Sequence, residues 1–271
     1  MNARREGAPQ HARASRRRRL RYTLNVVIYV ISISIFLIAW YLASDFFAIP
    51  RLFPSPQRTF LTLLELVEDG SLEGDIAASL ARILAGFALG SAIGIALGLL
   101  MGSSRLMRYA LDPYVNFLRF ISGIAWIPLT TMWLGLGESS KIAVVAYVTV
   151  FAVAINTLAG FQAIPRIRLR AARSLGATRL QLFFLVEFPS CIDFALRGMR
   201  LAMAGAFLTV VAAEMIAAES GLGFLINSSR QFMATDAMFV GILALGALGF
   251  LVDKVFLVVG TLTLGKYRLG R

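Results

Sequence analysis

Apolar residues run along this chain in blocks longer than any amphipathic period. Tyr22–Ser44, Ile83–Ser104 and Ile142–Pro165 contain no charged side chain. About 20 apolar residues carry an α-helix across ~30 Å of hydrocarbon, so each block predicts a membrane span. Three more spans are predicted with charges in them. Phe120–Gly137 is short, and reaches full length only if it begins near Pro113 and carries Arg119 within it. Phe194–Ala218 has Arg197 and Arg200 in its first turns and Glu214 inside, while Ala237–Gly260 is interrupted by Asp253 and Lys254. The expected fold is an all-α membrane protein of six transmembrane helices. Residues 1–21 form a basic tail, 22–265 the six-helix domain and 266–271 a second tail. Between the first two spans, Pro50, Pro54 and Pro56 predict an extended loop, because each proline removes a donor and restricts its predecessor. Phe60, Leu63, Leu64 and Val67 then predict a short amphipathic helix over 59–67 on the outer face.

Composition fits this pattern. Hydrophobic residues make up 58% and charged residues 15% of the 271, with mean hydropathy +0.74. Soluble domains carry roughly 45–50% apolar and about 25% charged residues. The net charge of +12 would suit nucleic acid, but the cations sit at the ends of apolar runs, which points to membrane topology and to no nucleic-acid partner. With the N-terminus inside, every Lys and Arg except Arg51, Arg58, Arg82, Lys141 and Arg230 falls on the cytoplasmic side, and the first outer loop is acidic. N-in, C-in is therefore expected. The run Arg16–Arg19 precedes an apolar block too long for a signal peptide, and that block ends in Trp40 and Tyr41. The sequence predicts an uncleaved first helix. A single Cys191 and a single His11 argue against a disulfide framework, a His-based metal site and Ser/His/Asp catalysis, so no catalytic residue and no metal ligand is assigned.

Gly86, Gly90, Gly94, Gly98 and Gly102 recur every fourth residue. That spacing bares one helix face for close backbone packing, within the subunit or against a second copy. Gly260–Tyr267 nearly matches a phosphate-binding loop. Tyr267 stands where the metal-binding hydroxyl belongs and no helix follows, so the match is rejected. The loop 163–193 is different. Arg166, Arg168, Arg170, Arg173 and Arg179 interleave with apolar residues at helical spacing. The pattern predicts a helix to Leu175, a break at Gly176 needing positive φ, a cap at Thr178, and a second helix stopped by Pro189. An exposed helix–turn–helix with one cationic and one apolar face is a docking surface.

Within that loop, Arg170-Ala171-Ala172-x₃-Gly176-x₉-Val186-x-Phe188-Pro189 resembles the EAA motif of ABC-importer permeases, with Arg170 in place of the motif's Glu. Leu111–Pro113, Ala125–Leu129, Trp133–Glu138, Asn156–Gly160 and Ala212–Ala218 followed by Gly221-Leu222-Gly223 look like the nitrate/sulfonate/taurine branch. The resemblance covers about residues 20–265. It implies a type I importer permease in a bacterial inner membrane, working as a homodimer among membrane lipids. A periplasmic or lipid-anchored binding protein would deliver substrate. A cytoplasmic ATPase dimer would bind MgATP, leaving this chain without cofactor or enzymatic activity of its own. The 163–193 loop would be the coupling element, through Arg170, Ala171, Ala172, Arg173, Gly176, Ala177, Arg179 and Pro189. Replacing the motif's carboxylate by Arg170 removes any salt bridge that carboxylate makes elsewhere.

Ionisable groups inside a bilayer are functional candidates. Arg119 would attract an oxyanion or snorkel to the interface, and Glu214 would repel one or pair across helices. Trp126, Thr130, Asn156 and Thr209 are candidates to line a polar path. The leading cargo is an alkanesulfonate such as taurine. Nitrate, bicarbonate and a thiamine-pyrimidine precursor are alternatives in the same family, and an ion-gradient-driven secondary transporter is the alternative of another class.

Overall fold

The computed structural model describes residues 8–46 and 53–264, with side chains from Val27 onward and none beyond Leu262. The start of the basic tail, Pro50 and Arg51 of the outer loop, and the second tail lie outside the described residues. Two units are compact in themselves, residues 1–61 and 62–271.

In the first unit, α1 (Ala8–Phe46) is one long helix. It starts inside the stretch that the charge pattern separates from the span as a tail. Its Val27–Phe46 part is long and apolar enough to cross a membrane. Trp40 Nε1 donates to the Pro54 carbonyl at 3.1 Å, tying the end of α1 to the residues just before the next helix. The amphipathic helix is present as α2 (Pro56–Glu68) and runs into the second unit. There Leu63 and Leu66 join the core, while Leu64 and Val67 stay exposed. The Ser71 hydroxyl and the Ser71 N–H, the latter donating to Asp69 at 2.9 Å, hold the Asp69 carboxyl below the usual range at the start of the next helix.

The second unit is built on three long helices, α3 (Ser71–Ser103), α6 (Glu138–Gln162) and α9 (Phe188–Ala217). Lipid is as apolar as leucine, so apolar burial alone contributes little to helix pairing, and close approach has to supply the contact. The glycine stripe does this inside the subunit. A Cβ on Gly86, Gly90, Gly94 or Gly98 would lie within 3 Å of Val145, Ala146, Val150 or Thr157, and Gly102 faces Phe161. Partners on α6 thus advance in the same direction as the glycines, which makes α3 and α6 parallel. Antiparallel α9 closes the trio through Gly160 against Phe194 and Gly198 against Asn156. Ile83, Val145, Val153, Met203, Ala206 and Val210 form the core between them.

Parallel neighbours require the chain to cross back between them. The crossing is not the straight third span expected over 120–137. It is a pair, α4 (Arg105–Leu118) and α5 (Gly123–Leu134), bent by 96°. Gly123 explains the position of the break. It lies where α5 meets α6 and α9, and a Cβ there would sit 2.5 Å from Val148 and 3.2 Å from Thr209. Among the described residues, five helices are long and apolar enough to cross a membrane, and the bent pair counted as one broken span makes six. The short α10 (Leu222–Gln231) and the last span α11 (Thr235–Leu264) complete the unit.

Candidate functional site

The loop between α6 and α9 forms two helices as the sequence predicts. Pro165 precedes α7 (Arg166–Ser174), and no α7 side chain is buried. Gly176 has φ +82° with nothing within 4 Å of a Cβ, so the conformation and not space requires glycine. Its N–H donates to Arg173 O at 3.0 Å, and Ala177 N–H donates to Ala172 O at 3.2 Å. This pair of bonds is the Schellman termination. Two residues on, Thr178 and Gln181 form a reciprocal capping box at the start of α8 (Arg179–Leu182). Ile167, Leu175 and Leu180 are between 71% and 88% exposed beside Arg166, Arg170, Arg173 and Arg179. The backbone is fully specified while the side chains are left open.

Pro189 does not stop the second helix, contrary to the sequence expectation. Residues 183–187 widen into a π-turn, with Phe188 N–H reaching back to Phe183 O, and Pro189 then sits in the first turn of α9. The wider turn accommodates the ring and the missing donor that would otherwise break the helix. Arg179–Ala217 therefore forms one membrane-length stretch.

A second feature is the break in the third crossing, at the level of Val148 in the middle of α6. Tyr147 O–H donates to the Leu118 carbonyl at 2.7 Å and so pins the end of α4. The Tyr147 ring stands 5.2 Å from Trp126 and 5.0 Å from Phe151. Arg119 caps α4, with its guanidinium 4.8 Å from the Phe120 ring centroid. Trp126 Nε1 is buried and has no acceptor among the described residues. Thr209, 6% exposed, lies against Gly123. The structure thus gathers Arg119, Trp126 and Thr209 around one break. Thr130 instead donates to Trp126 O and Ile127 O of its own helix, and Asn156 donates to Ala152 O and packs on Gly198.

Glu214 is elsewhere, in a buried charge cluster at the end predicted to face outward. Its carboxylate accepts from Arg82 Nη1 at 2.7 Å, from Ser79 Oγ and from the Gly223 N–H at 2.9 Å. Arg82, 3% exposed, also pairs with Glu138 through Nε and, at 2.8 Å, through Nη2. Lys141, 4% exposed, reaches Glu138 at 3.2 Å. The Gly221 and Leu222 N–H groups donate to Asp75 and Ser79. Three successive backbone donors at the start of α10 are thereby satisfied by side chains of α3 and α9. Asp75, Ser79, Arg82 and Glu138 are absent from the candidates read from sequence, and Arg82 there counts as an outer-loop cation. The signal for the three α3 residues is register: 75, 79, 82 and 86 share one face of α3 and continue the glycine stripe, whereas Glu138 reaches the cluster from the start of α6.

Crossing helices, a broken one at mid-depth and an open helical excursion at one end define a multi-pass membrane protein of transporter type. The chain belongs to the family described as binding-protein-dependent transport system inner membrane component, which matches residues 90–260. It is 36% identical over 248 residues to the taurine transport system permease protein TauC of Escherichia coli (strain K12), covering 88% of this chain and 90% of that one. It is 31% identical over 154 residues to the nitrate import permease protein NrtB of Synechocystis sp. (strain ATCC 27184 / PCC 6803 / Kazusa), covering 57% and 56%. Among solved structures, an inward-facing MetNI methionine ABC transporter shares the fold at TM-score 0.57 and 20% identity, over 72% of this chain and 94% of that one.

Proposed function

We propose that the chain is the membrane subunit of an ATP-driven importer in a bacterial inner membrane, passing a small anion delivered by a soluble binding protein. The observation that carries this reading is α7 with its Schellman turn: a fixed backbone that buries none of its side chains, in register with the coupling motif. Two copies would pair, each seating residues 166–182 on a separate cytoplasmic ATPase that binds MgATP. Closure of that ATPase would draw the two segments together and rock the packed trio α3, α6 and α9 as a rigid body.

The cargo reading is an alkanesulfonate such as taurine, supported by the 36% identity to the taurine permease. Nitrate is the second reading, favoured by the 31% relative. On either, Arg119, Trp126 and Thr209 would meet the anion at the break. A guanidinium is always charged and presents paired donors to an oxyanion, and the buried indole N–H beside Tyr147 adds another. Glu214 serves the charge cluster in this reading, and Thr130 and Asn156 bond their own helices.

Proteoliposomes holding the chain and its ATPase, loaded with MgATP, test the proposal. With binding protein outside, labelled taurine should accumulate in wild type and fall at least tenfold in Arg119→Gln, the effect of losing one charge-assisted hydrogen bond. Accumulation without ATP would refute the importer reading. Accumulation of nitrate but not taurine would decide the cargo.

A further inference from the structure

α6 ends at Gln162, the chain turns at Pro165 into α7, and the first turns of α9 cross behind it. Between these three elements lies a cavity of about 220 Å³, room for about seven water-sized groups. Gly160, Ala163, Ile164, Pro165 and Phe194 contribute its apolar lining. Its rim carries Arg168 from α7 and Asp193 and Arg197 from α9. Arg197 is planted there: Nη2 donates to Asp193 Oδ2 at 3.1 Å, and the guanidinium lies 5.3 Å from the Phe194 ring centroid. Its remaining N–H groups are open to a ligand. Arg168 forms no ion pair among the described residues.

Two guanidiniums and one carboxylate around a cleft of mixed polar and apolar lining select a particular chemistry. The planar fork of arginine fits a tetrahedral oxyanion. The Asp193 carboxylate, paired with Arg197 through one oxygen, keeps acceptor positions that favour an anion carrying an ammonium at short distance. The cavity lies at the end where cations cluster, and basic pockets between spans on that side suit phospholipid headgroups.

We propose that this cavity binds an oxyanion on a short chain ending in a primary ammonium, as in a phosphoethanolamine group, with Arg168 and Arg197 on the oxyanion and Asp193 on the ammonium. The group is presented by a phosphatidylethanolamine headgroup or by a free zwitterion in solution. Either occupant bridges α7 to α9 and so braces the exposed helix against the spans. The inference does not rest on the transport reading, and its test needs neither ATP nor cargo.

The purified chain is placed in nanodiscs of phosphatidylcholine alone or with phosphatidylethanolamine, and retained lipid is counted by native mass spectrometry. Wild type should keep phosphatidylethanolamine in preference to phosphatidylcholine, and Arg168→Gln should keep it roughly tenfold less, as expected for one lost charge-assisted hydrogen bond. Asp193→Asn should lose the preference for the ammonium-bearing lipid. In phosphatidylcholine discs, added O-phosphoethanolamine reads the soluble arm. If it raises the thermal midpoint of wild type but not of Arg168→Gln while no lipid is retained, the free zwitterion is the occupant. Absence of both effects, or variants equal to wild type in both, overturns the proposal. Arg168 is exposed on a helix with no buried side chain, so its replacement leaves the fold in place.

Discussion

Two arginine-bearing regions sit at opposite ends of the same helices and are used in opposite ways. Arg82 is withdrawn from solvent and engaged by Glu138, Glu214 and the Ser220 carbonyl and hydroxyl. The arginines of α7 and α8 stand on a rigid backbone with their side chains open. A charge whose partners are all in its own chain contributes to the shape of that chain. A charge held open by a well-made backbone is available to something outside it. Structure spends its hydrogen bonds on the side chains at the first end and on the main chain at the second.

The comparison breaks most visibly if Glu214 is truncated. Glu214→Ala leaves Arg82 buried with one carboxylate fewer and frees the Gly223 N–H, so a loss of about 3–5 kcal/mol is expected. In detergent this should appear as a thermal midpoint several degrees lower or as loss of folded protein. Next in size is Gly90→Val. A Cβ there lies 2.5 Å from the Ala146 carbonyl, and forcing α3 from α6 should cost about 1–3 kcal/mol. Glu138→Gln is gentler, because its side chain is 57% exposed and solvent screens the pair. A loss under about 1 kcal/mol is expected in the same thermal assay. Smallest on stability is Arg170→Gln, within about 0.5 kcal/mol, since that side chain is exposed and none of the described residues holds it. A large drop for Arg170→Gln, or none for Glu214→Ala, would erase the contrast between the two ends.

Local rules made much of this legible before any coordinates. Gly176 and Thr178 were readable because cap chemistry depends on neighbours within one turn. The glycine stripe was readable as a packing face, although only the structure shows α6 to be its partner. Three features were hidden, each for a physical reason. Arg82 borders an uncharged run and so reads as lying outside the span, because a residue count cannot see a carboxylate arriving from 132 residues away. The bend at 119–122 depends on Gly123 meeting Val148 and Thr209, a contact between three helices. Pro189 reads as a stop, and the π-turn that accommodates it lies in residues without punctuation of their own. For the site, the exposed segment was visible as pattern, and the grouping of Arg119 and Trp126 with Thr209 but not with Thr130 or Asn156 required the helix register.

The most direct test of the central claim compares wild type with Gly176→Pro in a pull-down from membranes of the native host. Proline cannot take φ +82°, so the variant destroys the turn between α7 and α8 while leaving the buried trio intact. The account predicts an ATP-binding subunit that co-purifies with wild type and is lost from a variant of unchanged thermal midpoint. An ATPase retained by Gly176→Pro, or one absent from wild type, would contradict it.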